Sequence, residues 1–239
     1  MKRSSRKDVL AEPLERPKTL TASVAERIKQ QIIDGSIPLG SMLSEKQIGE
    51  QFGTSKTPVR EAFVQLQAMG LLTVLPQRGG MVFRPTELQV RELCEIRLEL
   101  ETFALRLAFA RSRERLVAEL ETVVATMDAC YDQADPAPYQ VADNAFHMAF
   151  LANCGNGLVL EAYEQFLPRI RALRTHLSTP EPYLLERSLV EHRRIAALVA
   201  KGRVEDAAAV LGKHIARTEE FHTKGLGKLE RAAGFDVSA

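Results

Sequence analysis

The sequence predicts a mainly α-helical protein, with three helices and a β-hairpin at its N-terminal end and an all-α antiparallel helical bundle after them. Three observations support this fold class. Ala, Leu, Glu and Arg are abundant, whereas Trp is absent and aromatic residues make up 6% of the 239 residues. Two short apolar runs flank a single Gly-rich turn near residue 78. Residues 87–224 lack the β-branched alternation that is typical of strands.

The first predicted elements follow one another closely. Residues 1–19 are polar, contain two prolines and show no apolar period, so we predict a flexible arm there. From Ser23 an apolar residue recurs at every fourth position as far as residues 34–35, as expected of an amphipathic helix. Ser44, followed three residues later by Gln47, forms a capping box that begins a second, short helix.

The remaining N-terminal elements complete a recognisable order. Gly53 ends the second helix, because glycine adopts sharp backbone turns without strain, and a third helix begins at Ser55. Apolar runs at 71–75 and 81–83 then form the hairpin. Helix, helix, tight turn, helix and hairpin is the order of a winged helix-turn-helix, whose third helix enters the major groove of DNA. We therefore predict a DNA-binding domain over residues 20–86.

Charge and side-chain chemistry agree with this domain. Residues 1–86 hold 13 Lys and Arg against 8 Asp and Glu, and the remaining residues hold 19 against 23, an asymmetry typical of nucleic-acid-binding proteins. Hydroxyls, helix-start amides and cations bind phosphates, and Arg or Lys can read guanine. The alternative is that the hydroxyls only cap a helix and the cations are solvated. The positions expected to reach DNA from the second helix, the third helix and the wing tip are Lys46, Ser55, Lys56, Thr57, Arg60, Arg78, Gly79 and Gly80.

Six helical stretches are predicted after residue 86. Their limits, set by Pro, Gly and polar breaks, are about 87–111, 113–131, 136–153, 157–178, 181–201 and 203–224. Pro168 lies inside the fourth stretch and should kink it or split it. Because ligand pockets in helical bundles form between facing helices, residues 87–226 are predicted to be an effector and dimerisation domain, followed by a tail over residues 227–239.

All five histidines lie in this helical half. Asp143 and His147 are four residues apart, so they share one helix face, and His192 and His214 lie on the fifth and sixth bundle helices. One carboxylate and three imidazoles suit Zn, Ni, Mn or Fe, with positions left for water or a ligand oxygen. A single histidine is more often an ordinary polar residue, so the spacing alone leaves both interpretations open.

Residues 20–83 resemble the winged helix-turn-helix of GntR-type bacterial transcription regulators. The matching residues are Ile33-x-Gly35-x-Ile37-x-x-Gly40-x-x-Leu43-Ser-Glu45, Gly53-x-Ser55-Lys-Thr-Pro-Val-Arg-Glu-Ala62, Leu66-x-x-x-Gly70-Leu-Leu, and Gln77-Arg-Gly-Gly with Val82. The family usually has Arg where this chain has Lys56. Since Arg and Lys differ in reach and planarity, this departure bears on base preference rather than on phosphate binding.

Residues 88–224 resemble the FCD-type effector domain of the FadR-like branch of that family. The matching stretches are Glu95-Ile-Arg97-x-x-Leu-Glu101, Asp143-x-x-Phe146-His147, Asn153-x-Gly155-Asn156, Glu191-His192-Arg193-x-Ile195, and Ala207-Ala208 leading to His214-Ile. The resemblance implies that a divalent transition metal, zinc before Ni, Mn or Fe, is bound by Asp143, His147, His192 and His214. His176 and His222 match no ligand position and are predicted to lie at the surface.

The resemblance also implies a small organic acid as effector. Arg97, on the first bundle helix, would hold its carboxylate bidentately, with Arg171 and Arg174 as weaker candidates. Alternatively, Arg97 is solvated or forms an ion pair with Glu101 at i+4.

The function predicted from these observations is an effector-responsive repressor, not an enzyme, that binds a pseudo-palindromic operator in double-stranded DNA as a homodimer. Two alternatives stay open. In one the metal is purely structural, and in the other the helical half is a metalloenzyme with Glu99 or Glu191 as general acid or base. Because no apolar run is long enough to span a bilayer and no signal peptide is evident, we expect a cytoplasmic protein without membrane partners, its three cysteines reduced.

Overall fold

The computed structural model describes residues 19–132, 136–178 and 182–232. The predicted arm lies outside these ranges except for Thr19, which is the N-cap residue of the first helix. The elements at the N-terminal end, which we call the N-terminal module, are α1 (Leu20–Ile33), β1 (Met42–Leu43), α2 (Glu45–Phe52), α3 (Lys56–Ala68), β2 (Leu72–Leu75) and β3 (Gly79–Val82). The predicted order of three helices and a hairpin is confirmed.

Local caps explain where α2 and α3 begin and end. Ser44 is the N-cap residue of α2 and its hydroxyl accepts a hydrogen bond from the amide of Gln47, as the capping box predicts. α2 ends at Gly53, whose φ of 64° lies in the left-handed region that favours glycine. Ser55 occupies the N-cap position of α3, but its hydroxyl accepts no capping hydrogen bond from the described amides. This exposed hydroxyl therefore remains available at the start of α3.

The sheet contains one strand more than the sequence indicated. β3 lies in the middle and pairs antiparallel with β2 on one side and with the two-residue β1 on the other. Two residues are too few to show an alternating pattern, which is why β1 was not predicted. Ile28 and Ile32 of α1 and Phe63 and Leu66 of α3 are fully buried and form the centre of the module core.

In the second part of the chain, which we call the bundle, all the secondary-structure elements of the described residues are helices. Its helices are α4 (Glu87–Asp132), α5 (Pro136–Asn153), α6 (Gly157–Leu173), α7 (Pro182–Ala200) and α8 (Val204–Ala232). Ser112 has non-helical dihedral angles inside α4, which matches the predicted break after residue 111. The prediction of a tail from residue 227 is wrong as far as residue 232, because α8 continues there, and residues 233–239 lie outside the described ranges.

Of the kink or split predicted at Pro168, the split does not occur, because α6 continues through this residue. Proline deprives the carbonyl of Glu164 of its helical donor, but Glu164 is exposed and water can take the place of that donor. The helix changes character later. Arg174–Ser178, directly after α6, form a π-helical turn, which we call the π turn. π-helical turns are rare in proteins, and those that occur are often found at functional sites.

The N-terminal module and the bundle pack against each other through α6. Each part has its own hydrophobic cluster, but Ala172 of α6 is buried in the cluster of the N-terminal module. The end of α6 and the π turn therefore lie at the junction of the two parts. No helix within the described ranges is both long and apolar enough to cross a membrane.

Candidate functional site

Three histidines from three helices meet in the interior of the bundle. His147 lies on α5, His192 on α7 and His214 on α8, and all three are buried. One ring nitrogen of each lies within 4.8 Å of the others, and the Nε2 atoms of His147 and His192 are 3.3 Å apart. The structure thus brings together three of the four predicted metal ligands, which we call the histidine cluster.

Asp143, the fourth predicted ligand, stands beside this cluster. Its Oδ1 lies 3.8 Å from Nε2 of His192, and its Oδ2 lies 2.8 Å from Nη1 of Arg174. Burial by itself raises the pKa of this carboxyl, but Arg174 and the neighbouring histidines outweigh burial and hold the pKa well below its ordinary value. Asp143 is therefore ionised, and a metal ion would share this carboxylate with Arg174.

A buried carboxylate orients the ring of His147. Oε2 of Glu101 lies 2.7 Å from Nδ1 of His147, and because a carboxylate only accepts, Nδ1 carries the ring proton. Nε2 is left with its lone pair on the side of His192. Tyr163 and Arg97 donate to the other oxygen of Glu101 at 2.7 and 2.6 Å. A carboxylate behind the imidazole is the usual arrangement for metal-binding histidines.

His214 has a similar partner. Its Nδ1 lies 2.9 Å from Oε2 of Glu191, which also accepts a hydrogen bond from Arg217. Burial raises the pKa of Glu191, but the hydrogen bonds from His214 and Arg217 bring it down to about 2. The sequence suggested Glu191 only as a general acid or base, and the structure makes it the carboxylate that orients His214.

Burial also determines the charge of the three rings. It lowers the pKa of each of them, that of His192 to about 3, and the nearby Arg97 guanidinium lowers the pKa of His147 further. The rings are therefore neutral at pH 7, which is the form that binds metals. Nδ1 of His192 is buried without a hydrogen-bond partner among the described residues. Three neutral imidazoles beside an ionised carboxylate fit a divalent transition metal.

Arg97 is placed differently from the expectation for an effector-binding residue. It is 2% exposed, its Nε donates to Glu101 at 2.6 Å, and its Nη2 lies 2.9 Å from Nε2 of His147. The alternative of an ion pair with Glu101 at i+4 is thus confirmed. Arg97 thus contacts the nitrogen of His147 that faces His192, and it does not line the cavity described next.

A cavity of about 50 Å³ adjoins the cluster on the side of Asp143 and His214. Two guanidinium groups, those of Arg174 and Arg217, lie in its wall together with the hydroxyl groups of Ser178, Ser188 and Thr218. The sequence predicted Arg174 only as a weaker effector-binding candidate than Arg97. It did not predict Arg217, for which the one available indication was its position three residues after His214. A volume of this size has room for about one or two water molecules. Because the cavity is partly open, a larger ligand would either extend towards solvent or displace part of the wall.

The residues expected to touch DNA are exposed at the beginnings of α2 and α3. Five side chains share this property, namely Lys46, Ser55, Lys56, Thr57 and Arg60. Arg60 donates two hydrogen bonds to Glu45, at 3.1 and 2.8 Å, which fix the direction of its guanidinium. Arg60 would therefore contact DNA either beside Glu45 or after releasing it.

The wing tip is formed by residues 76–78, so the prediction that Gly79 and Gly80 lie at the tip is wrong. Both belong to β3. Gly80 is buried, and a Cβ there would meet the Leu72 side chain at 2.5 Å. A Cβ on Gly79, whose φ is 92°, would lie 2.2 Å from the carbonyl oxygen of Leu43. These glycines let the strands approach closely, and Arg78 is exposed at the tip.

Of two histidines predicted at the surface, one is buried and the other is half-buried. His222 is 2% exposed and its Nε2 lies 2.7 Å from Oγ of Ser178. The spacing along the helix could have predicted this burial, because His222 follows His214 by about two helical turns and so lies on the same inward face. His176 is half-buried, with its Nε2 2.9 Å from the carbonyl oxygen of Ile32 in α1. This contact joins distant parts of the chain, and no local pattern predicts it.

Comparisons with known proteins match both parts of the chain. Residues 20–82 match the sequence family described as bacterial regulatory proteins, gntR family, and residues 92–217 match the FCD domain. The chain is 30% identical to a probable D-xylose utilization operon transcriptional repressor of Paenarthrobacter nicotinovorans, over 83% of this chain and 86% of that protein. It is 32% identical to the gluconate operon transcriptional repressor of Bacillus subtilis (strain 168), over 52% of this chain and 51% of that protein.

Solved structures share the fold. A GntR transcriptional regulator from Rhodococcus sp. RHA1 superposes with a TM-score of 0.74 at 23% identity, over 84% of this chain and 96% of that one. McbR of Escherichia coli superposes with a TM-score of 0.72 at 24% identity, over 86% of this chain and 98% of that one. These similarities support the combination of a winged helix-turn-helix and a helical bundle.

Proposed function

This chain belongs to the GntR family of bacterial regulatory proteins and carries an FCD domain, and from this premise we propose that it is a repressor whose DNA binding responds to a small organic acid. Its relatives are transcription regulators and not enzymes. We assign DNA binding to residues 20–86 and effector binding and dimerisation to the bundle that follows. A two-fold homodimer presents two copies of α3 and so reads a pseudo-palindromic operator.

The proposed DNA contacts are those that α3, α2 and the wing expose. The Ser55 hydroxyl has no capping role and, with Thr57, is suited to phosphate oxygens. Lys56 and Arg60 stand at the start of α3, where cations can contact phosphates as well as base edges. Lys46 and Arg78 add cations on either side, while Gly79 and Gly80 allow the close approach of the strands that shapes the wing.

The histidine cluster is the proposed metal site. FCD domains commonly bind a metal, and the rings of His147, His192 and His214 with the carboxylate of Asp143 supply a donor set that suits zinc, with Ni, Mn and Fe as other possibilities. When bound, the metal offers a Lewis-acidic position for a ligand oxygen. Arg97 must give up its contact with Nε2 of His147 when this nitrogen becomes a ligand, and Glu101 then remains its partner.

The observation that carries the proposed effector class is the presence of Arg174 and Arg217 in the cavity wall beside the histidine cluster. Guanidinium groups bind carboxylates bidentately. Each already has a carboxylate partner, Asp143 or Glu191, so an acidic effector would share or replace it. Since relatives are named for xylose and gluconate operons, sugar-derived acids are the first compounds to screen.

Metal content tests the proposed site directly. Plasma mass spectrometry on tag-free protein should find about one transition-metal equivalent per chain, and His192→Ala should abolish it. The matched control is His222→Ala, which removes another buried histidine of the same bundle and should retain the metal. A folded wild-type protein without metal would contradict the site, and effector binding would then rest on the two arginines alone.

The small volume of the cavity favours one alternative, a purely structural metal without an effector. In that case chelation lowers the melting temperature, whereas no acid raises it, because only a ligand that prefers the native state does so. A thermal-shift screen of small carboxylic acids on metal-loaded protein separates the two functions. An acid that raises the melting temperature and also changes operator affinity supports the effector role.

A further inference from the structure

The π turn contacts both the histidine-cluster side of the bundle and the N-terminal module. Its first residue, Arg174, is ion-paired with Asp143 at 2.8 Å, and its second, Thr175, donates to Oε1 of Gln140 on α5 at 2.8 Å. Its third, His176, contacts the carbonyl oxygen of Ile32 at 2.9 Å. Consecutive residues of one short segment therefore connect a proposed metal ligand with α1.

The contact made by His176 completes the C-terminal end of α1. The last carbonyls of a helix have no intrahelical donor and need other partners. The carbonyls of Gln30 and Gln31 accept from the amides of Asp34 and Ile37, and that of Ile32 accepts from His176. Because a carbonyl only accepts, Nε2 carries the ring proton. α1 thus ends on a donor that the π turn supplies.

Packing around this hydrogen bond is close. A Cβ on Gly35, which follows α1 and has a φ of 89°, would meet Cγ2 of Thr175 at 3.2 Å. Ala172, two residues before the π turn, is fully buried in the core of the N-terminal module. Because packed side chains leave little free volume, a displacement of the π turn moves the end of α1 as well.

The π turn also forms part of the cavity wall that a ligand would contact. Arg174 and Ser178, its first and last residues, both line the cavity, whose volume is about 50 Å³. A ligand that binds in the cavity therefore contacts the π turn at both of its ends. π-helical hydrogen bonds skip one residue more than α-helical ones, so a change between the two patterns redirects the side chains of the turn, including His176.

We propose that the π turn couples the metal and effector site to the DNA-binding module, with Arg174 as its contact at the site and His176 as its contact at α1. This inference rests on the proposed function, because it names the route by which occupancy of that site alters the geometry of α1. The contacts form a continuous chain, Asp143 to Arg174, then along the turn to His176 and Ile32. The metal and effector site and the DNA-binding module thus both contact the π turn. Coupling between two sites requires such a shared element, whose conformation each site can influence.

Hydrogen–deuterium exchange tests the route without knowledge of the effector or the operator. Zn²⁺ is added to the metal-depleted full-length protein, and exchange is followed by mass spectrometry in peptides covering residues 143–150 and 28–37. In the wild type we expect zinc to slow exchange in both peptides. In His176→Ala we expect the response of 143–150 to remain and the response of 28–37 to be lost.

Two further variants separate coupling from general damage at the junction. His176→Gln keeps an N–H donor for the Ile32 carbonyl and should restore the response of residues 28–37. Arg169→Ala removes a different contact between the two parts, since a Cβ on Gly70 would lie 2.9 Å from Nε of Arg169. Because this contact lies outside the π turn, we expect Arg169→Ala to respond to zinc as the wild type does.

The outcomes distinguish the route from the metal site. If zinc slows exchange in 143–150 but not in 28–37 of the wild type, or if His176→Ala keeps both responses, the coupling route is overturned and the metal site stands. If His176→Gln loses the response as His176→Ala does, the hydrogen bond to Ile32 is not the coupling contact. If no peptide of the wild type responds to zinc, the proposed metal site fails, and the coupling fails with it.

Discussion

Glu101 accepts a hydrogen bond from Nδ1 of His147 at 2.7 Å, and both side chains are almost completely buried. This one contact fixes the tautomer of the ring and turns Nε2 towards His192. Glu101 also holds Arg97, so the buried carboxylate and the buried guanidinium neutralise each other one helical turn apart. The electrostatics of the histidine cluster therefore depend on a residue that is not itself a proposed ligand.

Replacing Glu101 tests how strongly it orients the ring. We expect Glu101→Gln to lower metal affinity by about 10- to 100-fold, the usual cost of losing an outer carboxylate. Competition with a chromophoric chelator measures the affinity, and circular dichroism confirms the helical fold. Glu119→Gln is the matched control, because Glu119 accepts from Asn153 away from the cluster. Equal affinities for wild type and Glu101→Gln would show that the carboxylate does not orient the ring.

Lys56 is predicted to contact a DNA phosphate at the start of α3. Lys56→Ala should weaken binding to a duplex selected from a random library and reduce the slope of log K against log salt by about 0.9, the value for one phosphate contact. Fluorescence anisotropy at several salt concentrations measures both. Lys201→Ala, which removes an exposed cation of the bundle, should leave the slope unchanged. An unchanged slope for Lys56→Ala would remove this residue from the interface.

Much of the fold was predictable because its signals are local. The capping box at Ser44, the left-handed turn at Gly53 and the break at Ser112 each depend on a few neighbouring residues, and the structure places all three as predicted. The π turn and β1 were not predictable, since one is a change of hydrogen-bond register inside a helical pattern and the other has only two residues.

The proposed ligands of the candidate site were predictable from the sequence, but their surroundings were not. Asp143 and His147 share a helix face at a spacing that sequence reveals, and the family resemblance supplied His192 and His214. The partners of these residues come from other helices. That Glu101 faces His147, or that Arg217 shares Glu191 with His214, depends on how α4, α7 and α8 pack.

Two glycines with positive φ, Gly53 and Gly79, allow the cost of backbone strain alone to be compared with the cost of strain plus a steric overlap. Gly53→Ala should cost about 1–2 kcal/mol of unfolding free energy, because nothing lies within 4 Å of the new Cβ and only the left-handed backbone is strained. Gly79→Ala should cost more, since its Cβ would overlap the carbonyl oxygen of Leu43. Urea unfolding followed by circular dichroism compares the two variants. Equal costs would mean that β1 and β3 separate without penalty.

Arg217 is the residue through which metal binding and effector binding are best separated. It lines the cavity and donates to Glu191, but it is not a proposed ligand. Arg217→Ala should keep about one metal equivalent per chain and lose the rise in melting temperature that an acidic effector produces, because one of two carboxylate-binding guanidiniums is gone. Arg193→Ala is the control, since Arg193 pairs with Asp128 at the exposed surface. An undiminished thermal shift in Arg217→Ala would transfer the effector contact to Arg174 alone, whereas loss of the metal would show that Glu191 needs Arg217 to orient His214.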